Sequence, residues 1–381
     1  MLVPADGLTD LGPKITDATD NSLKLLTNKH SGYRVLIPIN SQDSALYALE
    51  SAMARKWPQD THFMLTTVIE GLTGGGLESK VVHRDTLLAE QNEHRNTVQK
   101  WLKNLTNAFK KVFPHTDSEI ECGRIAEKIC ELAWDWEADY IMVGSHDFNL
   151  MDRTALGSIA SKILMSAPCT VEAVRFHKLK RFFSPDGTSG DTTFIRQLAE
   201  QAPKRIVIAT DFSQQAETVI QWVEDCCWLD STEFRLVNVT ETSKREPGVS
   251  FLAGSKGYVS EQRYQRSIEN KLRAIGADLA AKHPRCKLEV FVLQSDSIAG
   301  AILELACMWD ADLVLLGAKG ADSTDEEKLG SSARPIMDTL ECSSIALRRS
   351  ADKQVHFSWY PELQKTENLV SQTLETEAKK S

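Results

Sequence analysis

The chain of 381 residues contains no apolar stretch of the length that a membrane-spanning helix requires. Its uninterrupted apolar runs, such as Leu313–Leu316, are far shorter than the roughly 18 residues needed. It also lacks an excess of positive charge, because 44 Lys and Arg residues face 53 Asp and Glu residues and leave a net charge of −9. We therefore expect neither a membrane protein nor a general nucleic-acid-binding protein.

Cysteine motifs and common catalytic signatures are missing as well. The eight cysteines form no C-x-x-C pair and have no histidines at zinc spacing, so we interpret them as small buried side chains in a reducing compartment. No Walker, H-E-x-x-H or G-x-S-x-G motif is present. The first 30 residues carry four aspartates and no apolar stretch, which predicts no secretory signal and a cytoplasmic location.

What the sequence does contain is an internal duplication. The stretches Ile125–Gly144 and Ile298–Gly317 are identical at ten of twenty positions with a constant offset of 173. Upstream, Arg34–Ala52 aligns with Arg205–Val223 at an offset of 171. The chain therefore consists of two copies of one structural unit.

The duplication divides the chain into five segments. We predict an N-terminal extension over 1–30, a first domain over 31–175, a linker over 176–202, a second domain over 203–349 and a polar tail over 350–381. The tail is polar apart from Trp359 and Tyr360, and we expect it to pack loosely or be disordered.

Short apolar runs alternate with helical patterns in each copy. In the second copy, Arg205–Ala209 has the composition of a strand buried on both faces, and Ser213–Cys227 has helical spacing with Ser213 placed as the N-cap. This alternation predicts a doubly wound α/β domain with a parallel sheet and helices on both faces. Ligands of such sheets bind beyond the carboxyl ends of the strands, where the strand order reverses.

A glycine-rich loop with the chemistry of an anion site follows the fourth strand of the second copy. Gly317–Gly320 is separated by nine residues from Gly330–Ser332, where a helix is predicted to begin at Ser331. Glycines let the backbone approach a ligand, helix N-termini offer unpaired N–H groups, and Lys319 adds a positive charge. At the end of the first strand, Asp211 is placed to accept a hydrogen bond from a ribose hydroxyl or an adenine amino group.

Together these features resemble the tandem form of the universal stress protein family. The resemblance rests on the two βα units, the G-x-x-G-x9-G-S loop and the aspartate that ends the first strand, and it covers both copies but neither the linker nor the tails. It implies two tandem five-stranded parallel sheets, each with strand order 3-2-1-4-5. In the family's nucleotide-binding branch the loop holds the phosphates of ATP. The positions carried over are Asp211 and Val239 around adenosine, and Gly317, Lys319, Gly320, Gly330, Ser331 and Ser332 around the phosphates.

The resemblance also implies that the copies pair with each other. Family members commonly pair through their last strands, which here are Thr170–Val174 and Ser343–Leu347. We therefore expect an intrachain pseudo-dimer, with further homodimerisation and a regulatory protein partner left open.

The first copy departs from the loop pattern at two positions. Asn40 stands where the second copy has Asp211, and Asp147 replaces the second glycine of the loop. A carboxylate about 4 Å from a phosphate costs on the order of 4 kcal/mol at an effective dielectric of 20. We predict that the first copy binds ATP far more weakly or not at all.

The loop of the second copy is itself acidic. Residues 321–329 include Asp322, Asp325, Glu326 and Glu327 against the single cation Lys328. Either these carboxylates face water, where salt screens them, or a Mg²⁺ ion bridges them to the phosphates.

Three functions fit this sequence. The leading hypothesis is a cytoplasmic ATP-binding protein of stress response or signalling, with the first copy as its structural partner. The alternative is a protein-interaction scaffold that binds no nucleotide. The least favoured is a slow ATP hydrolase, in which Asp325 or Glu326 orients water at the phosphates.

Overall fold

The computed structural model describes residues 32–40, 43–70, 84–145, 156–175, 202–241, 254–319, 329–348 and 358–359. The first half contains β1 Arg34–Pro38, α1 Asp43–Met53, β2 Arg55–Lys56, β3 His62–Ile69, α2 Arg84–Lys110, β4 Thr116–Cys122, α3 Ile125–Asp135, β5 Tyr140–Gly144, α4 Ser158–Ser166 and β6 Thr170–Val174. The second half contains β7 Arg205–Ala209, α5 Gln214–Asp225, β8 Glu233–Glu241, α6 Gly254–Lys282, β9 Lys287–Ser295, α7 Ile298–Met308, β10 Leu313–Gly317, α8 Ala333–Thr339, β11 Ser343–Leu347 and β12 Ser358–Trp359.

Ten of these strands form a single sheet in the order β4-β3-β1-β5-β6-β11-β10-β7-β8-β9. With the two-residue β2 set aside, each half orders its own strands third, second, first, fourth and fifth, and all strands within a half run parallel. The halves join where β6 runs antiparallel to β11, with Glu172 opposite Ile345. The expected α/β fold and the intrachain pairing of the last strands are confirmed.

Helices cover both faces of the sheet. One buried cluster packs beneath α1, α2, α5 and α6, and a second packs beneath α3, α4, α7 and α8. Both clusters run across the seam: Val174 and Ile345 belong to the first, and Val171 and Ala346 to the second. Because successive side chains of a strand point to opposite faces, one pair of strands joins the halves on both sides of the sheet. Among the described helices, none has the length and apolar composition needed to cross a bilayer.

The duplication extends to individual hydrogen bonds. The indole N–H of Trp57 donates to the Ala52 carbonyl in the last turn of α1 at 2.8 Å, and that of Trp228 donates to the Val223 carbonyl in α5 at 2.9 Å. Carbonyls at the end of a helix have no partner inside the helix. Each half therefore satisfies the end of its first helix with a tryptophan at the same position.

The tail returns to the first half of the chain. Its two described residues form β12, which pairs antiparallel with β2 so that Ser358 lies opposite Lys56 and Trp359 opposite Arg55. The expectation of a loose tail is wrong for these two residues, because backbone pairing with β2 holds them. The predicted N-terminal extension and nearly all of the linker lie outside the described residues.

A buried polar cluster beside the seam distinguishes the first half from the second. Arg55 donates to the two carboxylate oxygens of Glu172 at 2.5 and 2.6 Å, and the Tyr140 hydroxyl donates to Glu172 at 2.9 Å. None of these residues is more than 1% exposed. Burial acts to lower the pKa of Arg55, but Glu172 outweighs it and holds that pKa above its usual value. The corresponding residues of the second half are Cys226, Leu313 and Ile345.

Arg55→Leu should destabilise the protein severely, because it leaves the Glu172 carboxylate buried without its cation. We expect the free energy of unfolding to fall by about 3–5 kcal/mol. Adding Glu172→Ile removes the unpaired buried carboxylate and introduces the isoleucine that the second half has at the corresponding position. The double variant should therefore recover most of the lost stability. Denaturant-induced unfolding measures both, and a double variant as unstable as Arg55→Leu would contradict this account.

Candidate functional site

A pocket lies at the carboxyl ends of β7, β8 and β10, where the strand order of the second half reverses. Its floor is apolar and is built from residues of the sheet and of α7, namely Ala209, Val237, Val239, Leu316, Ile298 and Ile302. The predicted site residues that line the pocket are Asp211, Val239, Gly317, Lys319, Gly330, Ser331 and Ser332. Gly320 lies outside the described residues. The fold thus brings together side chains from the ends of three strands and from the start of α8.

A tight turn places Asp211 at the rim. The Ser213 N–H donates to Asp211 Oδ1 at 2.9 Å, and Ser213 Oγ accepts from the Ala216 N–H at 3.2 Å, which makes Ser213 the N-cap of α5 as predicted. Phe212 between them has φ of 60°, a conformation uncommon outside glycine. The Lys271 ammonium lies 4.4 Å from the centroid of the Phe212 ring. Capping and ring contacts therefore hold the turn that leaves Asp211 exposed.

Asn238 supports the same rim from the other face of the sheet. Its Nδ2 group donates to the Thr210 carbonyl, the last one before Asp211, at 2.8 Å. In the first half, Thr67 Oγ1 makes the equivalent bond to the Ile39 carbonyl at 2.9 Å. Sequence reasoning missed this pair, although the offset of 171 relates them. Each fixes the end of its first strand by tying it to the second.

The backbone N–H groups around the loop are partly used by the protein itself. The Ala318 N–H donates to Leu347 O at 2.8 Å and the Gly330 N–H donates to Ala318 O at 2.7 Å, so neither is available to a ligand. Within the part of the chain that the structure describes, the N–H groups of residues 331–333 donate to no main-chain carbonyl. Ser331 and Ser332 precede α8 and Ala333 is its first residue, which is where a helix leaves backbone donors without partners inside the helix.

The helix α8 begins two residues later than predicted. It starts at Ala333, with Ser332 as its N-cap, and Ser331 and Ser332 form the turn before it. The Ser332 side chain makes no capping hydrogen bond. Its hydroxyl therefore remains a polar group of the pocket and is not consumed by the helix.

Gly317 has a packing role in addition to any contact with a ligand. A Cβ atom at this position would lie 3.1 Å from Gln215 Cβ and 3.2 Å from the Lys319 carbonyl oxygen. The end of β10 therefore approaches the start of α5 so closely that only glycine fits without displacement. This packing role of Gly317 was not among the sequence-based expectations, which considered the approach of the backbone to a ligand.

Comparison with known proteins identifies the fold and the family. The model of the universal stress protein family matches residues 33–175 and 203–348. The chain belongs to the universal stress protein family. A putative universal stress protein of Staphylococcus aureus (strain USA300) is 26% identical over 157 residues, which is 40% of this chain and 89% of the relative. One from Staphylococcus epidermidis is 27% identical over 154 residues, with the same shares covered.

A solved structure supports the tandem architecture. The universal stress protein of Archaeoglobus fulgidus DSM 4304 has a TM-score of 0.52 and 16% identity, and the match covers 86% of this chain and 100% of that one. At this identity the likeness concerns the fold alone. Because the match extends over most of both chains, it includes both halves of this universal stress protein.

The first half of this universal stress protein departs from the second at a third position that sequence reasoning missed. Ile159 stands where the second half has Ser332, and it is 37% exposed. Asn40 is exposed at the end of β1, as Asp211 is at the end of β7, while Asp147 lies outside the described residues. The offset of 173 relates Ile159 to Ser332, so the signal was present in the alignment. The first half therefore has an exposed apolar side chain at the position where the second half has a hydroxyl.

No metal site accompanies the pocket among the described residues. Nowhere in them do three His, Cys, Asp or Glu side chains come together in a way that can hold a metal ion. The acidic residues of the loop, which motivated the Mg²⁺ hypothesis, fall within 320–328 and lie outside the described residues.

Gly317→Ala should destabilise the second half because the added methyl group meets backbone and a helical Cβ. We expect the unfolding free energy to fall by about 1–3 kcal/mol. The matched control is Gly300→Ala on the exposed side of α7, where the methyl meets only the Ser297 side chain and alanine favours the helix. Denaturant unfolding compares the two, and equal stabilities would contradict the packing role of Gly317.

Proposed function

We propose that this protein is a cytoplasmic tandem universal stress protein that binds ATP in the pocket of its second half and acts in stress response or signalling. One observation carries the proposal: one pocket at the strand-order reversal combines an apolar floor, the Asp211 carboxylate, Lys319 and the N–H groups of residues 331–333, which donate to no main-chain carbonyl of the described residues. The family includes members that bind ATP. The chemistry of the pocket suits such a ligand.

The two ends of the pocket suit the two ends of a nucleotide. Val239 and Ile298 offer an apolar surface to a purine base, and Asp211 lies at the rim, where its carboxylate accepts hydrogen bonds from hydroxyl or amino groups. The N–H groups of residues 331–333 and the Lys319 ammonium are suited to phosphate oxygens. Binding needs no catalytic group, and the pocket gives no reason to assign a reaction.

The first half has less of this chemistry. Asn40 removes the carboxylate and Ile159 removes a hydroxyl, in addition to the Asp147 substitution. We propose that this half binds no ATP and serves as the structural partner of the second. The alternative, a scaffold that binds no nucleotide, draws on the same divergence and on the acidic residues that stand between Lys319 and Gly330 in the sequence.

Asp211→Asn should weaken ATP binding about tenfold, the equivalent of one charged hydrogen bond. Asparagine keeps the oxygen that accepts from the Ser213 N–H, so the turn survives and only the charge is lost. The matched control in the first half is Asn40→Ala, which should leave affinity unchanged. Calorimetric titration with Mg-ATP measures both, and unchanged affinity in Asp211→Asn would argue against the rim assignment.

Lys319→Ala should separate phosphate binding from nucleoside binding. The lysine is a point charge for phosphate oxygens, so the variant should lose about tenfold in affinity for ATP and little for adenosine. Added salt should weaken ATP binding to the wild type more than to the variant. Equal losses for ATP and adenosine would place Lys319 away from the phosphates.

The scaffold alternative has its own signature. Mass spectrometry of small molecules released from the purified, denatured protein should detect an adenine nucleotide. Its absence, together with no thermal shift on adding Mg-ATP, would favour a protein-interaction scaffold. Steady-state phosphate release from ATP would instead favour the hydrolase.

A further inference from the structure

Two arginines cross the seam, one from each half. Arg175 follows β6, and its guanidinium donates to the Met337 carbonyl in α8 and, at 3.3 Å, to the Cys342 carbonyl. Arg348 follows β11 and donates to the Leu164 carbonyl in α4 at 2.8 Å. The offset of 173 relates Arg175 to Arg348 and Leu164 to Met337. The two contacts are therefore the same interaction made reciprocally.

The backbone beside each arginine is held in the same way. The Arg175 N–H donates to Ser343 Oγ at 3.0 Å, and the Arg348 N–H donates to Thr170 Oγ1 at 3.2 Å. Each guanidinium meets the last turn of a helix, where unpaired carbonyls carry partial negative charge. Burial lowers the pKa of Arg175 to about 10, which leaves it charged at neutral pH. Each half thus contacts the final helix of the other through a cation, which is buried for Arg175 and half-buried for Arg348.

Further hydrogen bonds from the first half also hold α8. Ser161 Oγ donates to Asp338 Oδ1 at 3.0 Å, and the Leu156 N–H donates to the Asp338 carbonyl at 2.8 Å. Arg334 occupies the position that corresponds to Ser161, but it forms an ion pair with Asp338 of its own helix at 3.5 Å. The additional contacts are therefore directed at α8 and come from the first half.

The two helices that the arginines contact, α8 and α4, differ in the residues at their N-terminal ends. The helix α8 has seven residues, and its first part lines the pocket through Ala333 and Ile336, directly before Met337. Pro335 removes one of its backbone donors. So short a helix is marginal on its own, and its position depends on tertiary contacts. The helix α4 instead presents Ile159 at its start.

We propose that Arg175 is a positioning residue for the pocket of the second half. Together with Ser161 and the Leu156 N–H, it holds the end of α8, and the helix in turn places the N–H groups of residues 331–333. This inference rests on the proposed function for the identity of the ligand. It gives the first half a role in affinity although that half contributes no residue to the pocket, because its contacts hold a helix that lines the pocket.

The duplication supplies a matched pair of variants. Arg175→Ala removes a buried arginine and Arg348→Ala a half-buried one from the same seam, so both should lower the unfolding midpoint. Only Arg175→Ala loosens α8, and it should weaken Mg-ATP binding about tenfold, whereas Arg348→Ala should leave affinity near that of the wild type. Arg175→Lys keeps a charged donor and should recover part of the affinity. Equal losses in the two alanine variants would overturn the proposal, because seam loosening alone would then explain them.

A second readout needs no ligand. Hydrogen exchange of the backbone amides at the end of α8 should accelerate about tenfold in Arg175→Ala and stay unchanged in Arg348→Ala, with the reverse at the end of α4. Unchanged exchange of α8 in Arg175→Ala would overturn the positioning role, whether or not ATP binds. If the wild type binds no ATP but the exchange pattern is as expected, the proposed function is wrong and the positioning of α8 by Arg175 is still supported. Should Arg175→Ala fail to fold, Ser161→Ala is the milder variant for the same two measurements.

Discussion

The antiparallel pairing of β6 with β11 is the contact on which the rest of the structure depends. Each half is a parallel sheet that would otherwise end in a strand with unpaired N–H and C=O groups, and pairing the two last strands removes both edges at once. Every residue of β6 is buried. The seam also brings α4 and α8 side by side, which makes the reciprocal arginine contacts possible and links each half to the last helix of the other.

Duplication has left a symmetric scaffold and an asymmetric site. The hydrogen bonds of Trp57 and Trp228, and those of Arg175 and Arg348, occur in both halves because they hold helix ends that every copy of the fold possesses. The pocket residues have diverged, with Ile159 in place of Ser332. The contacts that both halves share lie in the framework that each half needs in order to fold, whereas the differences lie at the pocket and at the corresponding positions of the first half.

The candidate site could be predicted in its outline but not in its working detail. The glycine spacing, the position of Asp211 after a strand and, for Val239, the family resemblance predicted eight residues, and seven of them line one pocket because strand ends meet where the order reverses. The roles within the pocket needed coordinates. Gly317 is needed because Gln215 lies close to it, and the Gly330 N–H donates to the Ala318 carbonyl. The spacing of the motif does not predict either contact.

The sequence by itself determined the two copies and the strand positions, because hydrophobic periodicity and repetition are local signals. The strand order and the pairing through the last strands were implied by the resemblance to the family. Only the tertiary structure decided which buried charges meet. Arg55 and Glu172 are 117 residues apart and Arg175 and Met337 are 162 apart. A charged side chain is tolerated in the interior only where it meets a suitable partner. Because these partners are distant in sequence, only the folded sheet brings them together.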